Sequence, residues 1–317
     1  MRNKSDFGWW CVTVFVLCME LAACVPVPIA EDIPTAIVTY TATVIPTATD
    51  TPVVVVTPSA TIIPTVFSCA QVTDIPPAEC AALVALYKST DGANWESNRG
   101  WLKTATPCSS WVGVQCLDDH VTGLLLRSQR LSGTVPPEIA DLANLHGLDL
   151  SGNQLTALPP EIGGLSNLTD LGLGGNQLTV LPHEIGDLSN LGLLDLGYNQ
   201  LTALPPEIGK LSRLTALAIE DNQLTVIPPE IGKLSNLYAL SLAGNSLTTL
   251  PPEFGNLSNL THLYLEDNPF TGTVPPSIIN LDKLASLSLS PCSGLTSSDP
   301  QVIAFLDARS PGWNQCR

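Results

Sequence analysis

The sequence predicts an α/β fold, in which short parallel strands are stacked by repetition and closed at both ends by caps that contain a helix. Three observations predict it. Leucines recur at fixed places from Val121 onward, with a period of 23 or 24 residues. Within a unit they follow the alternation of a strand, as in Leu168-x-x-Leu171-x-Leu173. Helix start and stop signals occur before the first unit and after the last.

The repeats account for residues 121–290, as about seven full units and a partial eighth. A unit buries roughly seven apolar groups, which contributes about 10–20 kcal/mol. Ordering its backbone costs at least about as much, at roughly 1–2 kcal/mol per residue. We therefore expect that one unit cannot fold alone, and that stacking supplies each coil with two neighbours and a continuous core. The units begin at Val121, Leu145, Leu168, Leu191, Leu214, Leu237, Leu260 and Leu284.

The repeated pattern L-x-x-L-x-L-x-x-N-x-L resembles the leucine-rich repeat family over about residues 120–290, together with both caps. The first and seventh units contain LSGTVPPEI and FTGTVPPSI, which are similar to the plant type. The inner units contain segments such as LTALPPEIG, which are closer to the intracellular and bacterial type. The resemblance implies a right-handed solenoid with its parallel strands on the concave face.

One asparagine per unit lies where the chain turns away from the strand. A side-chain amide both donates and accepts, so it can satisfy backbone groups that the bend would leave buried and unpaired. Gln129 takes this place in the first unit and Cys292 in the last. We expect a structural ladder, with no part in ligand binding, formed by Asn153, Asn176, Asn199, Asn222, Asn245 and Asn268.

Residues 1–23 are typical of a lipoprotein signal peptide. Two basic residues precede an apolar segment from Phe7 to Cys18, which is shorter than the about 20 residues that span a bilayer. Leu21-Ala22-Ala23-Cys24 resembles the bacterial lipobox, in which the cysteine thiol receives a diacylglyceryl group and becomes the mature N-terminus. Glu20 departs from that pattern, because the apolar segment should be unbroken there. The alternative is an ordinary cleaved signal and a secreted protein.

Residues 24–68 are rich in proline, threonine and valine, and predict a disordered stalk. Proline fixes φ and removes a hydrogen-bond donor, which excludes helices and central strands. Such segments tend to extended polyproline-like forms, so the stalk would reach on the order of 100 Å. The valine run from Val53 to Val56 carries a minority alternative, in which it pairs as a strand.

Residues 69–120 predict an N-terminal cap, and residues 291–317 a C-terminal cap. A helix is expected from Pro76, with Gly92 beyond its end. Downstream, the segment from Cys108 to Cys116, CSSWVGVQC, resembles the C-x-x-W-x-G-V-x-C segment of plant-type N-terminal caps. The C-terminal cap is expected to contain a helix that begins near Ser298.

The chain has nine cysteines. Two leave with the signal peptide and Cys24 is assigned to lipid, so an even number remains, as suits an oxidising exterior. The family resemblance implies a bond between Cys108 and Cys116, which would contribute about 2–3 kcal/mol. Many pairings are open, and proximity in sequence is the basis for the others. We expect the pairs Cys69 with Cys80, Cys108 with Cys116, and Cys292 with Cys316.

Composition and motifs argue against several classes of function. Charged residues make up 13% of the chain and the net charge is −16, which argues against a nucleic-acid ligand. The four histidines lie in no H-E-x-x-H motif, and G-x-S-x-G and the phosphate-binding P-loop pattern are absent. We therefore expect no catalytic residues, no cofactor and no metal. Calcium at Glu220-Asp221-Asn222 and Glu266-Asp267-Asn268 stays open as a weak alternative.

The remaining candidate for function is the concave face, whose side chains lie between the leucines of each strand. Much of it is small, as at Gly172, Ala218 and Ser241. Tyrosine provides apolar area, a polar tip and little loss of entropy on binding. Candidate ligand-binding residues are therefore Leu193 with Tyr198, and Tyr238, His262, Tyr264 and Glu266, with Glu220, Asp221 and Asp267 nearby.

These features predict a protein without catalytic activity that is held by lipid at the extracellular face of the cell membrane. Its expected partner is a protein, a peptide or a glycan, recognised by the concave face. One alternative is a structural or adhesive spacer that has no defined ligand, since much of the face is small.

Overall fold

The computed structural model describes residues 39–45, 53–59, 67–290 and 294–313. The chain forms two compact units, 1–68 and 69–317. The signal segment, Cys24, Cys292 and Cys316 lie outside the described residues. None of the helices within the described ranges has both the length and the apolar character that a membrane crossing requires.

The first unit contains two antiparallel strands, β1 (Thr39–Ile45) and β2 (Val53–Ser59). The stretch that was expected to be an extended stalk thus contains a paired hairpin, and the valine run lies in β2. Pro58 is accommodated opposite Tyr40. In a two-stranded sheet each strand has one unpaired edge, so a residue that lacks an N–H donor can be placed there.

The second unit begins with the N-terminal cap. It contains a 3₁₀ turn (Cys69–Gln71), helix α1 (Pro77–Ser89), the short helix α2 (Pro107–Ser110) and strand β3 (Val114–Leu117). Pro77 occupies the first turn of α1, where a missing N–H donor leaves no bond unmade. A second 3₁₀ turn, Gly92–Asn94, follows the helix.

Two disulfides and an aromatic cluster hold this cap together. Cys69 is bonded to Cys80, and Cys108 to Cys116. Trp101 is fully buried, with its ring centroid 4.8 Å from those of Trp95 and Trp111 and 5.9 Å from that of Tyr87. The cap is therefore stabilised by a core of its own, and not by the repeats alone.

The repeats contribute eight strands to one sheet: β4 (His120–Leu125), β6 (Gly147–Asp149), β8 (Asp170–Gly172), β9 (Leu193–Asp195), β10 (Ala216–Ala218), β11 (Ala239–Ser241), β12 (His262–Tyr264) and β14 (Ser286–Ser288). Together with β3 they form a nine-stranded sheet in the order β14-β12-β11-β10-β9-β8-β6-β4-β3. All neighbours are parallel except β3 and β4, which form an antiparallel hairpin. Neighbouring strands are in register, so that Asp195 pairs with Ala218, Ala218 with Ser241 and Ser241 with Tyr264.

Each coil returns through a 3₁₀ turn that follows a proline-containing segment. Leucine and isoleucine from the strand and the return path are buried together, and Leu171, Leu178 and Ile185 of one coil are all 0% exposed. The parallel-strand solenoid predicted from the leucine spacing is thus confirmed. The return turns are Pro137–Asp141, Pro160–Gly164, His183–Asp187, Pro206–Lys210, Pro229–Lys233, Pro252–Asn256 and Pro276–Asn280.

Short strand pairs also occur beyond the main sheet. They link β5 (Ser132–Thr134) with β7 (Gln154–Ala157), and β13 (Gly272–Thr273) with β15 (Leu295–Thr296). Both pairs lie at the ends of the solenoid. Each includes a 24-residue unit, whose extra residue lengthens this part of the coil.

The C-terminal cap contains helix α3 (Pro300–Arg309). Oδ1 of Asp299 accepts the backbone N–H of Gln301 at 2.8 Å and so caps the helix N-terminus. Val302 and Leu306 are buried, which covers the last described repeat.

Candidate functional site

The concave face consists of the strand side chains that alternate with the buried leucines, together with the two residues that follow each strand's last leucine. Within coils two to seven, the acidic residues of this face are Asp149, Asp170, Asp195, Glu220, Asp221, Glu266 and Asp267. Over the same described positions, the face carries no lysine or arginine, and Arg127 belongs to the first coil. The face is thus strongly acidic.

The central column of the face is more closely packed than the sequence suggested. Tyr264 was expected to be an exposed binding anchor, but it is only 7% exposed. Its ring lies 6.3 Å from that of His262, which is half-buried and precedes it by two residues on the same strand. With so little of its surface exposed, the ring of Tyr264 provides little apolar area for a ligand.

The other members of that group remain partly accessible. Tyr238 and His262 are half-buried, and Nδ1 of His262 lies 2.8 Å from the Thr261 hydroxyl. Glu266 is also half-buried, and its Oε2 atom is buried without a hydrogen-bond partner among the described residues. Tyr238 and His262 lie in adjacent coils, and the backbone N–H of His262 donates to the carbonyl of Tyr238 at 3.0 Å.

Leu193 and Tyr198 lie toward opposite ends of the strand segment in coil four. Leu193 is the first residue of β9 and is half-buried, whereas Tyr198 lies in the following turn and is 50% exposed. Tyr198 is the exposed tyrosine of the described concave face. The two side chains are separated along the strand by Asp195 rather than joined in one patch.

Tyr198 occupies a strained backbone conformation. This turn position has a positive φ in every coil from one to seven, and Gly152, Gly175 and Gly244 occupy it in three of them. Tyr198 adopts φ 55°, because its N–H must donate to the carbonyl of Glu220 in the next coil, at 2.8 Å. A bulky residue in the left-handed region costs roughly 1–2 kcal/mol, so the turn tolerates Tyr198 and does not favour it.

Asp195 and Glu220 converge above Gly197. A Cβ atom on Gly197 would lie 3.0 Å from the carboxyl carbon of Glu220 and 3.4 Å from Oδ1 of Asp195. A Cβ on Gly174 would lie 2.6 Å from Oδ2 of Asp195. These glycines provide the room that the two carboxyl groups occupy, one coil apart.

The environment of this carboxyl pair disfavours charge. Burial raises the pKa of Asp195 to about 6, opposed by a hydrogen bond from the Gly197 N–H at 3.0 Å. Burial also raises the pKa of Glu220 to about 7, and the nearby charge of Asp195 adds to this effect. Oε2 of Glu220 is buried without a hydrogen-bond partner among the described residues. Shifted carboxyl groups of this kind concentrate at functional sites.

The expected asparagine ladder lies inside the coil, away from the concave face. Oδ1 of Asn176 accepts the N–H of Leu155 at 3.0 Å, and its Nδ2 donates to the carbonyls of Leu150 and Leu173 at 3.0 and 2.9 Å. The same arrangement recurs at Asn153, Asn199, Asn222, Asn245 and Asn268. Gln129 takes the corresponding place in the first coil, where its Oε1 accepts the N–H of Ser97 in the cap at 3.0 Å and its Nε2 donates to the carbonyl of Arg127 at 3.1 Å.

A second asparagine ladder was missed in the sequence. It lies on the turn before four of the strands, where the Nδ2 of one coil donates to a carbonyl of the coil before it. The repeated Ser-Asn-Leu was the available signal. Its members are Asn167, Asn190, Asn236 and Asn259, with distances of 2.9, 2.7, 2.7 and 2.7 Å.

The calcium alternatives gain no support from the geometry. Within the part of the chain that the structure describes, no three His, Cys, Asp or Glu side chains are grouped so as to hold a metal ion.

Asp118 and Asp119 form the left-handed turn between β3 and β4, with φ 50° and 61°. His120 contacts the buried carboxylate of Glu79 in the cap.

A sequence profile described as Leucine rich repeat matches the chain at 119–178, 143–201, 166–224, 212–270 and 235–293. Two similar curated proteins come from Arabidopsis thaliana. Protein STRUBBELIG-RECEPTOR FAMILY 2 is 40% identical over 85 residues, which is 26% of this chain and 11% of that protein. Leucine-rich repeat receptor protein kinase EMS1 is 39% identical over 88 residues, which is 28% of this chain and 7% of that protein.

Solved structures give the same result. The PEPR1–AtPEP1 crystal structure matches with a TM-score of 0.60 and 31% identity over 69% of this chain and 34% of that one. The Arabidopsis receptor kinase HAESA ectodomain, in complex with an IDA peptide hormone ligand, matches with a TM-score of 0.60 and 27% identity over 73% and 40%. This chain spans less than half of the length of each of these proteins. Since the profile matches extend over residues 119–293, more than half of the sequence, the chain belongs to the leucine-rich repeat family.

Proposed function

We propose that this chain recognises an extracellular peptide or protein with its concave face, and that it does so without catalysing a reaction. The observation that carries the proposal is the face itself, a parallel sheet along which Tyr198 is exposed and Tyr238 and His262 are half-buried. The HAESA ectodomain, which shares this fold, is described in complex with a peptide hormone. That similarity supports a peptide as the first partner class to test.

A lipid anchor at the extracellular face of a bacterial cell membrane is part of the proposal. It rests on the lipobox-like segment that ends at Cys24, with a secreted protein as its alternative. More than one acyl chain would be needed for stable attachment, because a single chain binds membranes only marginally. The test is metabolic labelling with a fatty acid, followed by membrane fractionation, for the wild-type chain and Cys24→Ser. Equal labelling and equal membrane content of both chains would reject the anchor.

A spacer or adhesive element without a defined ligand is the second candidate. It is favoured by the small side chains at the centre of the face, where Gly172 lies between Asp149 and Asp195, and Ala218 and Ser241 follow Asp195. Such positions present little area to a partner. They also leave room for an extended chain to lie close to the sheet, which agrees with peptide recognition.

Selecting peptides that bind to the whole chain tests the proposal. The chain is immobilised and panned against a displayed library of random peptides, and in parallel exposed to a glycan array. We expect specific peptides to be enriched and to lose about tenfold or more in affinity for Tyr198→Gly combined with Tyr238→Ala. The matched control is Val180→Ala with Val226→Ala, which removes two exposed apolar side chains outside the face.

Three outcomes are informative. Enriched peptides that bind both double variants equally would place recognition elsewhere on the molecule and reject the concave face. Glycan binding without peptide enrichment would show that the partner is a glycan and not a peptide. Failure of both screens would favour the spacer.

A further inference from the structure

The described part of the chain contains three Asn-x-Ser/Thr triplets, in which a hydroxyl residue follows an asparagine after one intervening residue. They begin at Asn167, Asn256 and Asn259. In secreted proteins this triplet is the acceptor for a glycan on the asparagine amide, when the middle residue is not proline and the site lies at the surface. All three triplets have leucine in the middle, so their surroundings in the fold distinguish them.

Two of the triplets are engaged in bonds between coils. Nδ2 of Asn167 donates to a carbonyl of the preceding coil at 2.9 Å, and the Thr169 hydroxyl donates to another at 3.0 Å. Nδ2 of Asn259 likewise donates to the preceding coil at 2.7 Å, and its Oδ1 accepts the Lys283 ammonium group at 2.6 Å. A sugar on either amide would have to fit beside a neighbouring coil that the same nitrogen already contacts.

The triplet at Asn256 differs, because its two polar side chains are both exposed. Within the described ranges, neither the Asn256 amide nor the Ser258 hydroxyl makes a hydrogen bond. Leu257, between them, is 0% exposed and fixes the triplet to the core. Asn256 ends the return turn of coil six, and so lies outside the strand whose side chains form the concave face. This amide is therefore accessible without the loss of a contact between coils.

The backbone presents this triplet as a compact turn. Leu257 has φ −77° and ψ 60°, which are the values of an inverse γ-turn. The Ser258 N–H donates to the carbonyl of Asn256 at 2.9 Å and closes the turn. The first and third residues of the triplet are thus held close together in the folded protein. An enzyme can therefore reach both of them without unfolding the coil.

We propose that Asn256 is a glycosylation site, and that its Nδ2 atom receives a sugar from a donor in which the sugar is linked to a diphosphate. The nitrogen attacks the anomeric carbon, a C–N bond forms, and the bond from that carbon to the diphosphate oxygen breaks. The diphosphate leaves with its carrier, one amide proton passes to a base of the transferring enzyme, and nothing is oxidised or reduced. An amide nitrogen is a weak nucleophile, because its electron pair is delocalised into the carbonyl. The Ser258 hydroxyl supplies a hydrogen-bond acceptor for that amide as it reacts.

The neighbouring coils show that the site is specific to coil six. In coils three to five the place of Asn256 is taken by a charged, exposed residue that is followed by leucine and serine, namely Asp187, Lys210 and Lys233. Coil seven has an exposed amide at this place, Asn280, but Asp282 stands where the hydroxyl residue would be needed. Leu281 has φ −77° and ψ 61°, so the turn itself is the same. Asn280 is therefore a matched control within the chain.

The experiment uses the full chain isolated from the cells that make it, digested and mapped by mass spectrometry with fragmentation that preserves the sugar bond. We expect a sugar on Asn256, and none on Asn167, Asn259 or Asn280. The mass of the attached group distinguishes a single sugar taken from a nucleotide donor from an oligosaccharide taken from a lipid carrier. An unmodified Asn256 in the wild-type chain would overturn the proposal.

Variants produced in the same cells test the role of the triplet. Asn256→Gln and Ser258→Ala should each abolish the modification, whereas Ser258→Thr should retain it, since threonine also has a hydroxyl. These positions are exposed, so the variants should fold like the wild-type chain. Asp282→Ser should create a second modified residue at Asn280. A sugar that survives Ser258→Ala, an Asn280 that stays unmodified in Asp282→Ser, or a sugar on the other two triplets in place of Asn256 would contradict the assignment.

Discussion

Oε1 of Glu79 lies 2.6 Å from Nδ1 of His120, and Oε2 of the same carboxylate accepts the backbone N–H of Val121 at 2.7 Å. Glu79 belongs to helix α1 of the cap and is only 3% exposed, whereas His120 begins strand β4 of the first repeat. One buried side chain therefore joins the cap to the repeat sheet through both of its oxygens.

Replacing Glu79 with alanine should destabilise the protein by about 2–4 kcal/mol. The change leaves the Val121 N–H buried without a partner and removes a charge-assisted contact. Urea unfolding followed by circular dichroism measures the difference. Glu161→Ala on an exposed turn is the control and should stay within about 0.5 kcal/mol of wild type. Equal stability of the two variants would show that the cap is held by other contacts.

The two asparagine ladders should differ in their contribution to stability. Asn199 is buried, its Oδ1 accepts the Leu178 N–H, and its Nδ2 donates to the carbonyl of Leu173. Asn199→Ala leaves several buried backbone groups unpaired, with an expected loss of about 2–4 kcal/mol. Asn190 is half-buried and makes its 2.7 Å bond at the surface, so Asn190→Ala should cost less than about 1 kcal/mol. Thermal unfolding of both variants compares them, and a reversed order would contradict the account.

The repeat architecture could be predicted from the sequence because leucines at a constant spacing are all buried in the same way when the units stack. Features that depend on contacts between distant segments were not readable. Tyr264 is buried on a strand that pairs with a neighbouring strand on each side, and the Glu79–His120 contact joins residues 41 positions apart. The paired strands within the expected stalk depend on a partner that proline content does not reveal.

The carboxyl pair was only partly visible in the sequence for a similar reason. Asp195 and Glu220 lie at different positions within their repeats, so they share no column when the units are aligned. Their approach follows from stacking, which brings the turn of coil five beside the end of the strand in coil four. The strain at Tyr198 had a signal, since glycine occupies the same turn position in three other coils.

Tyr198→Gly should stabilise the protein. Glycine adopts a positive φ without steric conflict. The strain that it relieves in the folded protein outweighs the stability lost because glycine gives the unfolded chain more conformational entropy. Tyr198→Ala is the matched control, because it removes the ring but keeps a Cβ at φ 55°. We expect the glycine variant to exceed the alanine variant by about 1 kcal/mol in free energy of unfolding. A glycine variant no more stable than the alanine variant would indicate that the turn is not strained.

The pH dependence of stability should report the buried pair directly. Asp195 and Glu220 have folded-state pKa values raised to about 6 and about 7, from ordinary values of 3.8 and 4.5. The folded protein therefore binds protons more tightly than the unfolded chain at these groups. Their stabilising contribution is fully present below about pH 4 and is lost as the pH rises through about 6 and 7.

Asp195→Asn with Glu220→Gln replaces the titrating groups by neutral isosteres and should remove this loss. Between about pH 5 and about pH 8 the wild-type protein should lose on the order of 3 kcal/mol relative to the variant, since one pKa unit corresponds to about 1.4 kcal/mol. Chemical unfolding at each pH gives the two curves, with Glu138→Gln plus Glu161→Gln as the charge-matched control. The control curve should run parallel to that of wild type, because its two carboxylates are exposed. If the Asp195/Glu220 variant also runs parallel to wild type, these two carboxyl groups do not hold protons near neutral pH.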